Sequence, residues 1–292
     1  MLSLAAGICV FLAGIVVLLA VNVLLTRRPA PCGGALQLPI LMLSICDGRW
    51  GRYSVPHAGA PIAARMRANA TRYPLAKVIV HSEDDIPAYR DYEKYRWAWS
   101  TNFMDAGHIQ KHLFLLEHAA LIRAWPGLVL YQDCKNGDLG HDANFARVPE
   151  LLGYLDAAGG VLVANQPYKH RAYCPHDCWT AMGRDGASPA YDTECQIRAA
   201  WILFRPEHLD IIEAVVAELT HGHPACKTNG DALYKDKEMG RGDQTVLHNL
   251  LYRDGRGRQL SAYSSEGVME NSVLFFDYTR PDWRLALEQP RC

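Results

Sequence analysis

The sequence predicts an α/β fold, in which a mostly parallel sheet is flanked by helices and preceded by one transmembrane helix. Short apolar runs of strand length recur along the chain, and segments with helical apolar spacing alternate with them. Continuous apolar strands that alternate with helices are typical of parallel sheets covered on both faces. An uncharged, apolar run over 2–25 predicts the transmembrane helix, because about 20 such residues cross a bilayer.

The first half of the domain contains three apolar runs that we predict to be strands, at 38–45, 77–81 and 128–133. A helix rich in alanine and arginine is predicted over 60–73, between the first two strands. A longer helix is predicted over 107–125, where a Pro-Gly turn separates it from the third strand.

The second half continues the alternation of helices and strands. Helical apolar spacing predicts helices at 151–158, 207–220 and 243–252, and apolar runs predict strands at 160–164, 197–204 and 273–276. The cysteine-containing stretch 174–195 and the polar stretch 226–242 are predicted to be irregular. We therefore expect an anchor at 1–26, a short stem at 27–37 and one domain at 38–292.

Composition and charge limit the location of the domain and its partners. The chain has 292 residues, 49% hydrophobic and 21% charged, and its net charge of −1 gives no basic field to hold nucleic acid. Arg27 and Arg28 follow the apolar run and favour a cytosolic domain. Eight cysteines outside the run, and the acceptor motif that begins at Asn69, favour an oxidising, lumenal compartment instead. A cleaved signal peptide is the alternative to an anchor, but no basic residue precedes the run.

Two carboxylates stand where an α/β enzyme holds its ligand. Asp133 ends the strand that begins at Leu128, and ligands of open α/β sheets bind at the carboxyl ends of strands. The alternative is that Asp133 caps a turn through its own backbone. Asp243 and Gln244 begin the helix over 243–252 and could face the same site, although Asp243 is also a typical helix N-cap.

Histidines and cysteines offer weaker candidates. His108 and His112 are spaced to share one helix face and could bind zinc, but a solvated face is the simpler interpretation. Lys111, between them, could reach an anion. Cys174 and Cys178 flank His176 and could bind zinc, or could form disulfides with each other or with Cys195 and Cys226. No glycine-rich phosphate loop or Gly-x-Ser-x-Gly is present, which disfavours Rossmann dehydrogenases, P-loop NTPases and α/β-hydrolases.

The order of four short motifs resembles that of the GT-A class of nucleotide-sugar glycosyltransferases, over about 38–283. The motifs are a helix with Lys111, Val-Leu-Tyr-Gln-Asp at 129–133, Gln-Ile-Arg-Ala-Ala-Trp-Ile-Leu-Phe-Arg at 196–205, and Asp-Gln-Thr-Val-Leu at 243–247. Cys-Trp-Thr-Ala-Met-Gly-Arg-Asp at 178–185 fits the segment before the third motif. The resemblance implies a GT-A-like domain with hexosyltransferase-type activity.

The resemblance also implies a role for each candidate residue. Asp133 would contact the donor or a metal, Asp243 would face the acceptor or act as a base, and Gln244 would orient a hydroxyl. The nucleotide and its diphosphate would be contacted by Ser44, Asp47, Lys111 and Lys135. The partners would be a nucleotide-sugar donor and a glycan, protein or lipid acceptor. The protein would be a single-pass Golgi or endoplasmic-reticulum protein with a lumenal catalytic domain, glycosylated at Asn69.

One departure from the resemblance matters for the cofactor. Many GT-A enzymes bind Mn²⁺ or Mg²⁺ through Asp-x-Asp, whereas this chain has Lys135 in place of the second aspartate. A cation site with one carboxylate is weak, and Lys135 could offset diphosphate charge directly. Two further functions therefore stand beside the transferase: a non-catalytic lumenal binding or scaffold protein on the same fold, and a zinc-dependent hydrolase built on the histidine and cysteine clusters.

Overall fold

The structure is a computed structural model that describes residues 38–46, 64, 67–68, 75–82, 111–132, 148–227, 242–263 and 284–286. All of them belong to the unit Leu38–Cys292. The predicted anchor and stem lie outside the described residues, and so do five candidate residues: Asp47, Asn69, His108, Asp133 and Lys135. In the part of the chain that is described, no helix is both long and apolar enough to cross a membrane.

Seven described strands form a mixed sheet, which confirms the α/β class. In chain order they are β1 (Ile40–Cys46), β2 (Ala76–Ser82), β3 (Leu128–Gln132), β4 (Val161–Lys169), β5 (Cys195–Phe204), β6 (Gly257–Tyr263) and β7 (Arg284–Ala286). Their spatial order is β2-β1-β3-β5-β4-β6-β7. Five strands run in one direction, but β5 lies antiparallel to both β3 and β4, and β7 opposes β6. The sheet is therefore mixed, with β5 reversed at its centre.

Each of the five predicted helices contains helical residues in the part of the chain that the structure describes. The helices are α1 (Ala119–Arg123), which follows helical residues 111–117, α2 (Val148–Ala157), α3 (His176–Ala181), α4 (Ala190–Thr193), α5 (Leu209–His221) and α6 (Gly242–Asp254). Residues 64, 67 and 68 are helical, within the predicted 60–73 helix. The predicted irregular stretch 174–195 contains α3 and α4, which are too short for apolar spacing to reveal.

The core lies on both faces of the sheet, because side chains of a strand alternate between faces. On one face, Leu41, Leu43 and Ile45 of β1 pack with residues of α5 and α6. On the other face, Ile40 and Met42 pack with residues of α2. All five side chains are buried. Helices on both faces explain why the β1 sequence is continuously apolar.

Gly127 makes a close approach to the start of β1. A Cβ at this position would lie 1.8 Å from the Pro39 carbonyl oxygen. The same oxygen accepts hydrogen bonds from the Leu128 N–H at 2.9 Å and from the Trp125 indole at 3.2 Å. The turn before β3 is therefore fitted closely to β1, and only glycine leaves room for this contact.

We expect Gly127→Ala to lower the free energy of unfolding by about 1–3 kcal/mol, because the turn or β1 must shift to admit the methyl group. Urea denaturation measures this change. Gly153→Ala on α2 is the matched control, since nothing lies within 4 Å of the Cβ it would add. In the helix interior that replacement should be neutral or stabilising. Equal stability of the two variants would contradict the prediction.

Candidate functional site

Ser44 joins the carboxyl ends of β1 and β3. The two strands are parallel, and the pairing of Leu43 with Tyr131 brings Ser44 beside Gln132, the last residue of β3. The Ser44 hydroxyl donates a hydrogen bond of 2.6 Å to the Gln132 carbonyl, and both residues are buried. Asp133 follows Gln132 in sequence. The Ser44 hydroxyl therefore sets the spacing of the two strands where β3 ends.

Lys111 and Asp243 form an ion pair in the interior. Lys111 Nζ lies 2.7 Å from Asp243 Oδ2, and the side chains are 3% and 1% exposed. Asp243 belongs to the first turn of α6, where the helix dipole favours a carboxylate. Lys111 also donates a 3.1 Å hydrogen bond to the Ala199 carbonyl of β5. The ammonium group thus connects the helical residues 111–117, β5 and the start of α6.

Gln244 and His112 complete this centre. Gln244 Oε1 accepts a 3.3 Å hydrogen bond from the Ala199 N–H, and His112 Nε2 lies 3.4 Å from Asp243 Oδ2. His112 is fully buried. The expectation that His112 lies on a solvated helix face is wrong, because its helix packs against the sheet on that side. His108 lies outside the described residues.

A bulge in β5 makes the Ala199 backbone accessible to these side chains. β4 pairs with β5 at Val163 and Ile202, but its next residue pairs with Arg198. Residues 199–201 are therefore skipped on that side, and β3 ends opposite Trp201. A bulge removes residues from the ladder, which leaves their backbone groups for other partners. Here the Ala199 N–H and carbonyl bond side chains instead of a neighbouring strand.

The predicted candidates thus divide into three groups. Lys111 and Gln244 meet at Ala199, and Asp243 joins them through its ion pair with Lys111. Ser44 lies beside Gln132, which precedes the strand-end carboxylate. Asp47, Asp133 and Lys135 lie outside the described residues, so their places in the site remain predictions.

The cysteines of the stretch 174–195 favour disulfide chemistry over zinc. The sulfurs of Cys178 and Cys226 lie at bonding distance, and their Cα atoms are 4.7 Å apart. Cys174 is free and buried, and burial raises the pKa of its thiol to about 12. A bonded Cys178 and a protonated Cys174 are both poor zinc ligands. Across the described ranges, no group of three or more His, Cys, Asp or Glu residues could hold a metal ion.

A second buried polar cluster was not foreseen from the sequence. The rings of His170 and His248 stack with centroids 3.7 Å apart. His170 Nδ1 lies 2.7 Å from Gln196 Oε1, and His248 Nε2 lies 2.8 Å from Glu194 Oε2. Arg184 donates a 2.6 Å hydrogen bond to the other Glu194 oxygen. These residues span 170–248 without a recognisable spacing, so sequence offered no signal for their meeting.

Comparison with known proteins assigns neither a family nor a function to this chain. No protein-family model matches the chain, and no curated protein sequence matches it. Functional inference therefore depends on the order of the motifs and on the contacts between them.

Proposed function

We propose that this protein is a membrane-anchored GT-A-type glycosyltransferase, which moves a sugar from a nucleotide-sugar donor to an acceptor hydroxyl. One observation carries the proposal: three of the four motif segments meet at Ala199. Lys111 and Gln244 bond the two backbone groups of this residue, and Ala199 itself lies in the third motif. The remaining motif, at 129–133, lies beside the same stretch of β5, where Gln132 pairs with Trp201. These contacts between motifs that are remote in sequence support the proposal that the motifs belong to one site.

Donor chemistry is assigned to residues just beyond β3. Transfer requires stabilisation of a departing diphosphate while positive charge develops at the sugar carbon. In this proposal Asp133 contacts the donor and Lys135 offsets diphosphate charge, with Asp47 beside the nucleotide. One carboxylate followed two residues later by an ammonium group is a poor donor set for Mn²⁺ or Mg²⁺. The proposal therefore assigns no step to a cation.

Burial changes the roles that suit the other candidates. Asp243 is fully buried and its Oδ2 faces Lys111, which favours a positioning role over proton abstraction from an acceptor. Gln244 and Lys111 hold the same helix start through Ala199. Ser44 is occupied with the Gln132 carbonyl, so we assign it to positioning β3 rather than to a nucleotide contact. Together these residues would hold the carboxyl end of β3 and the start of α6 in place.

The proposal includes a lumenal domain with an N-terminal anchor in the Golgi or endoplasmic reticulum. The Cys178–Cys226 pair at disulfide distance is consistent with an oxidising compartment. The acceptor would be a glycan, protein or lipid hydroxyl, and Asn69 would carry a glycan.

The test uses the full chain purified in detergent. Calorimetry with UDP, GDP and CMP, with and without Mn²⁺, identifies the nucleotide, and release of that nucleotide from its sugar conjugates measures turnover. We expect Asp133→Asn to reduce turnover at least about tenfold, since one donor contact is commonly worth that much or more. Asp138→Asn, a carboxylate change five residues later, is the matched control and should retain activity. Full activity of Asp133→Asn would overturn the assignment.

A non-catalytic binding protein on the same fold is the second candidate, and Lys135 is the observation that favours it. Lys135 puts a cation where the resemblance expects a second carboxylate, which removes a metal ligand. Absence of binding to every nucleotide and sugar would favour this candidate. Nucleotide binding without turnover on any acceptor would also favour it.

A further inference from the structure

The His170–His248 pair is closed off from solvent. Both rings are fully buried, and their planes differ by 10°. His248 also stacks on Tyr252, one turn later on α6, with centroids 4.5 Å apart. No part of either ring can be hydrated while this packing is intact.

Hydrogen bonding defines the charge of each ring. The amide oxygen of Gln196 can only accept, so His170 donates from Nδ1; the Glu194 carboxylate likewise accepts from His248 Nε2. The remaining ring nitrogens, His170 Nε2 and His248 Nδ1, are buried and have no hydrogen-bond partner in the described part of the chain. A proton added to either nitrogen would create a buried donor that lacks an acceptor. Both rings are therefore neutral in the packed arrangement.

The charges around the pair oppose double protonation. Arg184 lies over the Trp179 ring at 4.0 Å and forms an ion pair with Glu194. The guanidinium group therefore already balances the negative charge of the Glu194 carboxylate. Two imidazolium rings at 3.7 Å would repel each other as well as the guanidinium. Three titratable groups face the pair: Arg184 between α3 and α4, Glu194 before β5, and Tyr252, which stacks on His248.

The sign of the pH effect follows from burial. Burial lowers the pKa of both histidines well below the ordinary 6.5. The neutral rings therefore make their full contribution to stability above pH 6.5. This contribution is lost as the pH falls below 6.5, because the histidines take up protons in the opened chain and not in the packed arrangement. Burial raises the pKa of Glu194, so its contribution to stability changes with pH in the opposite direction. That contribution is lost as the pH rises through the folded pKa of Glu194.

The pair also joins separate elements. His170 lies in the turn His170–Ala172 after β4, and His248 lies in the middle of α6. Two further contacts join the same elements: Thr245 donates to the Tyr173 carbonyl at 3.1 Å, and Asn249 donates to Cys174 Sγ at 3.4 Å. Segment 170–194 is thus held to the helix that carries Asp243 and Gln244.

We propose that the stacked His170–His248 pair is an acid-sensitive latch, which holds segment 170–194 against α6 at neutral pH and releases it when protons enter the pair. A proton that reaches either unpartnered nitrogen charges a buried ring beside Arg184. The packing then separates so that the ring can be hydrated. Because α6 begins with Asp243 and Gln244, release would also loosen the centre at Ala199.

Hydrogen exchange of the full chain tests the latch, at about pH 7.5 and about pH 5.5, after correction for intrinsic exchange rates. We expect protection in 170–194 and α6 to fall about tenfold or more, and protection in β1 and β3 to fall less. The double variant His170→Asn, His248→Gln keeps both donors but cannot titrate, and its response should be absent. His221→Gln, an exposed histidine on α5, is the control and should respond like the natural protein.

Two results would overturn the latch: equal loss of protection throughout the sheet and α6, or a response that persists in the double variant. If the double variant does not fold, NMR titration of isotope-labelled histidines in the natural protein decides the question. Both ring signals should remain those of neutral imidazole at about pH 6.5, where ordinary histidines are half protonated. A ring that titrates at or above that pH would exclude the latch.

Discussion

Replacement of Lys111 by methionine is expected to lower the free energy of unfolding by about 3–5 kcal/mol, which is the typical cost of leaving one buried charge without its partner. Asp243 is fully buried, so water cannot replace the ammonium group. The Ala199 carbonyl would also lose a donor. Methionine matches the length of the lysine stem, so packing is largely retained. Chemical denaturation followed by circular dichroism measures the change.

A double-mutant cycle separates the pair from its surroundings. Asp243→Asn alone should also destabilise, because it leaves the Lys111 charge buried, whereas the double variant should cost less than the sum of the two changes. The surface pair Arg171–Asp192, with side chains 47% and 61% exposed, is the control. Arg171→Met should cost about 0–1 kcal/mol. Additive changes at Lys111 and Asp243 would show that the pair contributes no coupling energy.

Removal of the Cys178–Cys226 disulfide is expected to lower the free energy of unfolding by about 4 kcal/mol. The bond closes a loop of 48 residues, and chain-entropy arguments give roughly this value for such a loop. The loop contains α4, β5, α5 and most of α3, so its opening affects the centre of the domain. The double variant Cys178→Ser, Cys226→Ser, compared with the natural protein in guanidinium chloride, measures the loss.

Two comparisons make the disulfide test specific. Cys174→Ala changes a buried thiol that is free, so it should cost less than loss of the bond and should leave the effect of reductant intact. Reductant should destabilise the natural protein more than the double serine variant, which keeps the separate disulfide of Cys195. If reductant destabilises both proteins equally and mass spectrometry finds no peptide that links Cys178 to Cys226, this bond does not form in solution.

The strands of the parallel half were predictable because local sequence decides them. The runs that became β1 and β3 are apolar on both faces, and the run that became β2 has an apolar Val-Ile-Val centre, so the boundaries differ from prediction by only one or two residues. β6 was missed because Gly257, Arg258 and Gln259 give it no apolar run. Its strand form depends on pairing with β4, whose partner residues lie 96 positions earlier (Val161 pairs with Gly257). The predicted strand at 273–276 lies outside the described residues.

The candidate site was only partly predictable, for a related reason. Asp243 and Gln244 stand out because they begin an apolar helix, and Lys111 was noted in a helix before β3. Nothing local indicated that the lysine would be buried, since most lysines are exposed. Lys111 is buried because the helical residues 111–117 pack over β5, where Lys111 bonds the Ala199 carbonyl, and this packing is a long-range contact. The histidine pair was missed for the same reason, because its members are 78 positions apart.

The bulge at 199–201 has a consequence for recognising related sequences. Lys111 and Gln244 bond the carbonyl and the N–H of Ala199. These hydrogen bonds therefore do not depend on the identity of the side chain at position 199, provided that it is small. They depend on the number of residues between Arg198 and Ile202. A deletion or insertion there would turn Arg198 and the residues before it to the opposite face of the sheet. Relatives that keep this centre should therefore conserve the length of this strand more strictly than its composition.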